Sequence, residues 1–261
     1  MISQPIASEE PIYPDSDGNP MSDNTEQYRW IVIVKENLEI IFAEDPNVFI
    51  AGDLSWYPVQ GSLERTAPDV MVVFGRPRGR RGSYKQWVED NIAPQVAFEI
   101  LSPSNKVRRG IDSLEEKFEF YQEHGIEEYY IYDPDDLILE GWQRQEQKLV
   151  KIVRMSGWVS PRLGIRFDWE AGRELVLYRP DGQCFLTSVE LAQRMQWAER
   201  RAESAERLRL QERQRTESAE QRAESAERLR LQERQRAESA EQRAERLASR
   251  LRALGLDIDD V

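Results

Sequence analysis

The chain has 261 residues, a formal net charge of −12, one histidine and one cysteine. A lone cysteine excludes an internal disulfide framework and a cysteine-rich zinc site, and a lone histidine, His124, excludes histidine clusters as metal ligands. The acidic balance excludes a general nucleic-acid coat protein, so contact with DNA or RNA must come from a local basic patch or from metal ions.

Residues 1–28, with Pro5, Pro11, Pro14, Pro20 and many acidic and serine residues, read as a disordered lead-in. They lack the basic start and apolar core of a secretory signal. No run approaches the length of a membrane-spanning helix, and cysteine usage points to a reducing cytoplasm.

"RWIVIVKENLEIIFAE" (29–44) places Trp30, Val34, Leu38 and Ile41 on one helical face, with Glu36 opposite. "NVFIAGDLSWYP" (47–58) and "APDVMVVF" (67–74) follow as strands; Asp53 in the first reads as a turn residue or as a further site acid. "GRPRGRRGSYKQW" (75–87) is a loop whose Arg76, Arg78, Arg80, Arg81 and Lys85 form the only dense basic stretch before the tail. It reads either as a phosphate-backbone contact or as a solvated loop.

"VAFEILSPSN" (96–105) begins as a buried strand and breaks at Ser102 and Pro103. "IDSLEEKFEFYQEHG" (111–125) reads as a helix, with Asp112 and Glu115 at capping-box spacing and Gly125 as its left-handed stop. His124 sits where a helix dipole favours a cation. "EEYYIYDP" (127–134) is another strand, and "LILEGWQR", "KLVKIV" and "ELVLYRPDG" look like antiparallel hairpins. Helix, three strands, helix and strand predict an α/β domain with a mixed sheet flanked by helices.

From Arg201 the sequence repeats at 21 residues: "RAESAERLRLQERQRTESAEQ" recurs at 222–242 with Thr216 against Ala237 the only difference. Twenty-one residues are three heptads, so Ala202, Ala223, Ala244 and Leu251 form one line and Ala205, Ala226, Ala240 and Leu247 another. Arg209, Glu212, Arg230 and Glu233 interrupt that seam. A long helix over 189–254 follows, a possible coiled coil through which copies of the chain could associate weakly. The domain reading is 1–28 lead-in, 29–188 globular, 189–254 helix and 255–261 acidic tail.

Two carboxylates stand in otherwise apolar strands: Asp69 in "PDVMVVF" and Glu99 in "VAFEIL". A charge there is costly unless paired or bound to a cation. Neighbouring strands that each bear one such group can place both on one Mg²⁺ or Mn²⁺, which takes one or two carboxylates and completes its shell with water and phosphate oxygens. Lys117 borders the stripe of Leu114, Phe118 and Tyr121 and can reach the sheet edge from its helix. Taken singly, each has an ordinary alternative: a carboxylate bonded to a turn for Asp69, a snorkelling surface cation for Lys117.

Together these residues resemble the metal core of the PD-(D/E)xK nuclease superfamily. More specifically, "APDVMVVFGRP", "FEILSPSN", "KFEFYQEHGIEEYYIYDP" and "SPRLGIRF", in that order, resemble the Uma-two family of restriction-endonuclease-like proteins over about residues 30–190. The superfamily's usual lysine would fall at Leu101; the resemblance implies that it has moved to the following helix, at Lys117. It further implies a restriction-endonuclease-like fold and Mg²⁺-dependent hydrolysis of phosphodiester bonds in DNA. Asp69, Glu99 and the Ile100 carbonyl would hold the metal, and Lys117 would orient water or stabilise charge. The alternative is a catalytically silent scaffold of the same fold that works through its C-terminal helix.

Overall fold

The computed structural model describes Tyr13, residues 24–103 and residues 108–253, and for residues 108–113 the backbone alone. These residues fall into two units, Met1–Ala192 and Gln193–Val261.

Helix α1 (Thr25–Ile41) opens the first unit because Asn24 caps it, its side chain accepting the Gln27 N–H at 2.7 Å. The helix expected to begin at residue 29 therefore starts at Thr25, and residues 25–28 are helical instead of disordered. The rest of the expected lead-in, Tyr13 and Asn24 apart, lies outside the described residues. So does the acidic tail. Of the expected face, Trp30, Val34 and Leu38 are buried and Ile41 is half-buried, and Gln27, Ile31 and Asn37 are buried with them.

Ten strands follow among the described residues: β1 (Val48–Gly52), β2 (Trp56–Tyr57), β3 (Val70–Phe74), β4 (Tyr84–Lys85), β5 (Val96–Ile100), β6 (Glu128–Asp133), β7 (Ile138–Gln145), β8 (Lys148–Lys151), β9 (Arg166–Asp168) and β10 (Val176–Tyr178). The strand expected over 47–58 is split in two by a turn at Asp53, whose φ is +47°. Six strands make one mixed sheet in the order β1-β3-β5-β6-β7-β8, while β2 pairs with β4 and β9 with β10. Only β5 and β6 run parallel within the large sheet, and helix α2 (Arg108–Glu123) is the crossover between them. It starts ahead of Asp112, so Asp112 and Glu115 lie inside the helix and not at its cap. Its end is as expected, with Gly125 at φ +95°.

Alternation along the strands divides the core into two layers. Val70, Val72, Val96, Phe98, Ile100, Tyr130 and Tyr132 pack with Trp30, Val34 and Leu38 of α1 and with Phe167 and Leu177 of the late strands. Met71, Val73, Ala97 and Tyr129 pack with Phe120 and Tyr121 of α2 and with Trp56 and Tyr84. Asp69 and Glu99 share the parity of Met71 and Ala97, so both carboxylates belong to the α2 face. The late "SPRLGIRF" segment is tied to the sheet by Glu128, which is 1% exposed. Glu128 accepts bonds from the Ser160 hydroxyl, the Arg162 N–H (2.8 Å) and the Tyr130 hydroxyl (3.0 Å).

Helix α3 (Ser188–Ala253) opens with a reciprocal cap: Thr187 Oγ1 accepts the Glu190 N–H at 3.2 Å, and Glu190 Oε2 accepts the Thr187 N–H at 2.9 Å. Arg213–Glu217 (2.9 Å) and Arg234–Glu238 (3.3 Å) are the same ion pair made once in each repeat. Pairs of this kind add a few tenths of a kcal/mol each, about 0.2–0.5. No helix among the described residues is long and apolar enough to cross a membrane.

The two core layers draw all their buried residues from Trp30 to Leu177. A chain ending at Ala192 is therefore expected to keep its unfolding free energy within about 0.5 kcal/mol of the full chain in urea titrations, the range of ordinary surface changes. A much larger loss would mean that the helix is a structural part of the domain.

Candidate metal centre

The antiparallel ladder of β3 and β5 pairs Val70 with Phe98. One step beyond that pair, Asp69 comes opposite Glu99. Both are buried, at 8% and 3% exposure, and each finds fixed partners. Asp69 Oδ2 accepts the Ile100 N–H at 2.6 Å. Glu99 Oε2 accepts from Lys117 Nζ at 2.7 Å, and Oε1 accepts from the Tyr121 hydroxyl at 2.5 Å. Lys117 Nζ also lies 3.3 Å from the Ala67 carbonyl, so the ammonium spans the two strands.

The charges do not balance. Burial, and next the charge of Glu99, push the Asp69 carboxyl up to about 8, while Lys117 and the Ile100 N–H only partly oppose this. Burial works against the charge on Lys117, but Glu99 and Asp69 outweigh it and raise its pKa, so the lysine is firmly cationic. Asp53 acts on both Asp69 and Lys117. Its N–H is held by the Pro68 (3.1 Å) and Asp69 (3.3 Å) carbonyls, so it is a turn residue within electrostatic reach of the site.

Asp69, Glu99 and Lys117, three residues from separate elements, are thus brought together. The Ile100 carbonyl sits beside them but accepts the side-chain amide of Gln27 at 2.9 Å, from α1. A carbonyl has two lone pairs, so one further partner is allowed. Two carboxylates and a carbonyl are hard oxygen donors, and a divalent cation would offset the burial, and next the repulsion from Glu99, that raise Asp69. Among the described residues no group of three or more Asp, Glu, His or Cys could hold a metal ion. The donor set fits Mg²⁺ or Mn²⁺ completed by water and substrate oxygens, and not an all-protein cage.

The basic loop does not act as one patch. Arg76 Nε (2.8 Å) and Arg81 Nε (2.7 Å) both clamp Glu89, which is 12% exposed in its side chain, and Arg76 also pairs with Asp90. Arg81 lies over the Phe49 ring at 3.9 Å. Arg78 donates to the Phe42 carbonyl, Lys85 lies 5.0 Å from the Tyr13 ring, and Arg80 is exposed. His124, at the end of α2, packs against Phe120 (4.4 Å) and Trp56 (6.1 Å).

Sequence reasoning missed Tyr121 and Gln27. Tyr121 falls four residues after Lys117, on the same helical face, which is the signal that could have found it. Gln27 had a subtler sign: an amide in line with Trp30, Ile31, Val34 and Leu38.

The sequence model of the Uma2 family, described as "Putative restriction endonuclease", matches residues 21–190. Among solved structures, the chain has a partial likeness to a protein from Anabaena variabilis ATCC 29413 described as "a putative nuclease belonging to DUF820". The likeness has 14% sequence identity over 53% of this chain and 72% of that chain, with a TM-score of 0.39. No curated protein matches the chain.

The Asp69 shift fixes a direction for pH. Its carboxyl titrates near 3.8 when unfolded and near 8 when folded, so between those values the folded state holds the extra proton. Stability of the metal-free protein therefore falls as pH rises through that window and levels off above it. Denaturation at pH 6 and pH 8.5 should show a loss on the order of 2 kcal/mol at the higher pH, which Asp69→Asn should largely remove. An Asp69→Asn chain with the wild-type pH slope would show that another group sets it.

Proposed function

Because the chain belongs to the Uma2 family, the restriction-endonuclease-like family whose model covers residues 21–190, we propose that it is a divalent-metal-dependent endonuclease acting on DNA in a reducing cytoplasm. One observation carries this reading: Asp69 and Glu99 meet on adjacent strands, and Lys117 lies 2.7 Å from Glu99. Asp69, Glu99 and the Ile100 carbonyl would hold Mg²⁺ or Mn²⁺. Such an ion, when bound, polarises a phosphoryl oxygen and makes bound water more acidic. The chain's own contribution is to fix the donors at the β3–β5 ladder and to present a half-buried ammonium. Lys117, kept protonated by two carboxylates, would stabilise charge that develops on the phosphoryl group or orient the attacking water. Arg78, Arg80 and Lys85 are the loop cations left for phosphate contact once Arg76 and Arg81 have engaged Glu89. The α3 helix would add weak, salt-sensitive self-association through its alanine-rich seam.

Purified protein should nick or cut DNA with Mg²⁺ or Mn²⁺ and stop on chelation. Asp69→Ala and Glu99→Ala should each lower the rate at least about a hundredfold, and Lys117→Ala should lower it comparably while metal binding by calorimetry persists. Cleavage that survives both carboxylate substitutions would refute the site. Metal binding without cleavage of any DNA form would favour the scaffold reading, to which Leu101 in place of a strand lysine already lends weight.

Arg80→Ala should weaken DNA binding and reduce the slope of log affinity against log salt by about one, the value for one lost phosphate contact. An unaltered slope would leave Arg80 as a solvated side chain.

A further inference from the structure

Glu99 is held from one side by a single turn of α2. Lys117 and Tyr121, four residues apart, take one carboxylate oxygen each, at 2.7 and 2.5 Å. The two partners differ in kind. The Lys117 side chain is 25% exposed, has a flexible stem and shares its ammonium with the Ala67 carbonyl. Tyr121 is fully buried, and its ring is boxed in by Trp56 in parallel stacking at 6.4 Å and by Tyr129 edge-on at 4.9 Å. The Thr66 side chain also hydrogen-bonds the Tyr121 hydroxyl. A ring so packed cannot swing, and its hydroxyl points at one place.

We propose that Tyr121 is a positioning residue that locks the Glu99 carboxylate for cation binding. A carboxylate offers about four lone-pair sites; the clamp uses one on each oxygen and leaves the others for a metal ion. Without the hydroxyl, Glu99 answers to Lys117 alone, and the carboxylate is free to turn about its terminal torsion toward the ammonium. The cost then falls on metal loading, and not on the chemistry that follows. Groups that orient a metal ligand in this way typically contribute about 10–100-fold to affinity. Both oxygen contacts of the clamp are to Glu99, so Tyr121 would act through that carboxylate.

This inference rests on the reading of Asp69 and Glu99 as metal ligands, and the experiment separates the two. Mn²⁺ is titrated by calorimetry into the full-length wild type and into Tyr121→Phe, Tyr129→Phe and Asp69→Ala, with thermal melts recorded for each. Tyr129 is the control: it is fully buried, its hydroxyl has no hydrogen-bond partner among the described residues, and Tyr129→Phe removes the same atom from the adjoining ring. The expected result is Mn²⁺ affinity at least about tenfold weaker in Tyr121→Phe and wild-type affinity in Tyr129→Phe. Cleavage by Tyr121→Phe should need more Mn²⁺ for half-maximal rate yet approach the wild-type rate at saturation. Wild-type affinity in Tyr121→Phe overturns the positioning role while the metal site stands. Equal losses in both phenylalanine variants overturn it as well, since they signal loosened packing. If Asp69→Ala leaves Mn²⁺ binding unchanged, the metal reading and this inference fall together.

Discussion

A carboxylate on the third strand of a six-stranded sheet, between Phe98 and Ile100, is tolerable only if partners meet both of its oxygens. Glu99 imposes that demand, and much of the domain answers it. The partners must come from above the sheet, which requires a helix over that face. A helix there requires a crossover, and the crossover explains why β5 and β6 are the sheet's only parallel neighbours. Lys117 and Tyr121 stand one turn apart because two oxygens of one carboxylate need two donors on one helical face. Trp56 and Tyr129 then wall in Tyr121, so the short β2–β4 pair becomes part of the same support.

The clamp leaves the site short of positive charge. Lys117 faces two buried carboxylates and feels a third at Asp53, and burial together with Glu99 drives Asp69 toward its neutral form. An imbalance of this kind weakens the fold in isolation. A hard cation bound there would remove the repulsion that the two carboxylates otherwise carry. On the proposed reading, stability and metal affinity would be opposed at Asp69, and that would set it apart from a structural ion pair such as Arg76–Glu89–Arg81. In the latter, two guanidinium groups overcompensate one carboxylate and hold its pKa below the usual range.

The strands and helices of the globular part could be read from hydropathy because each has one face in a core. Asp69 and Glu99 could be read for the converse reason: they are charges where the pattern demands apolar residues. What the pattern hides is partnership. Arg76 and Arg81 look like a DNA-facing patch until Glu89, eight residues after Arg81, folds back between them. Asn24 starts α1 earlier than the apolar stripe indicates because a cap acts through one hydrogen bond. Tyr121 passes for a core aromatic, and by its ring it is one; only its hydroxyl belongs to the site. His124 similarly passes for a charged helix end, although its ring is engaged by Phe120 and Trp56.

The duplicated segment of α3 is a ruler with two equivalent marks. Twenty-one residues advance an α-helix by about 32 Å and return a heptad pattern to the same side. Arg209 and Glu212 interrupt the seam in one repeat as Arg230 and Glu233 do in the next. Two such helices, if paired in parallel, would face the same residues along their overlap whether aligned or slipped by one repeat, so the repeat would select an azimuth without fixing a register. Were copies of the chain to pair by this surface, the slipped alignment would leave one repeat of each overhanging. Loss or gain of a repeat would change the reach of the helix in fixed steps of about 32 Å while leaving its lateral chemistry intact.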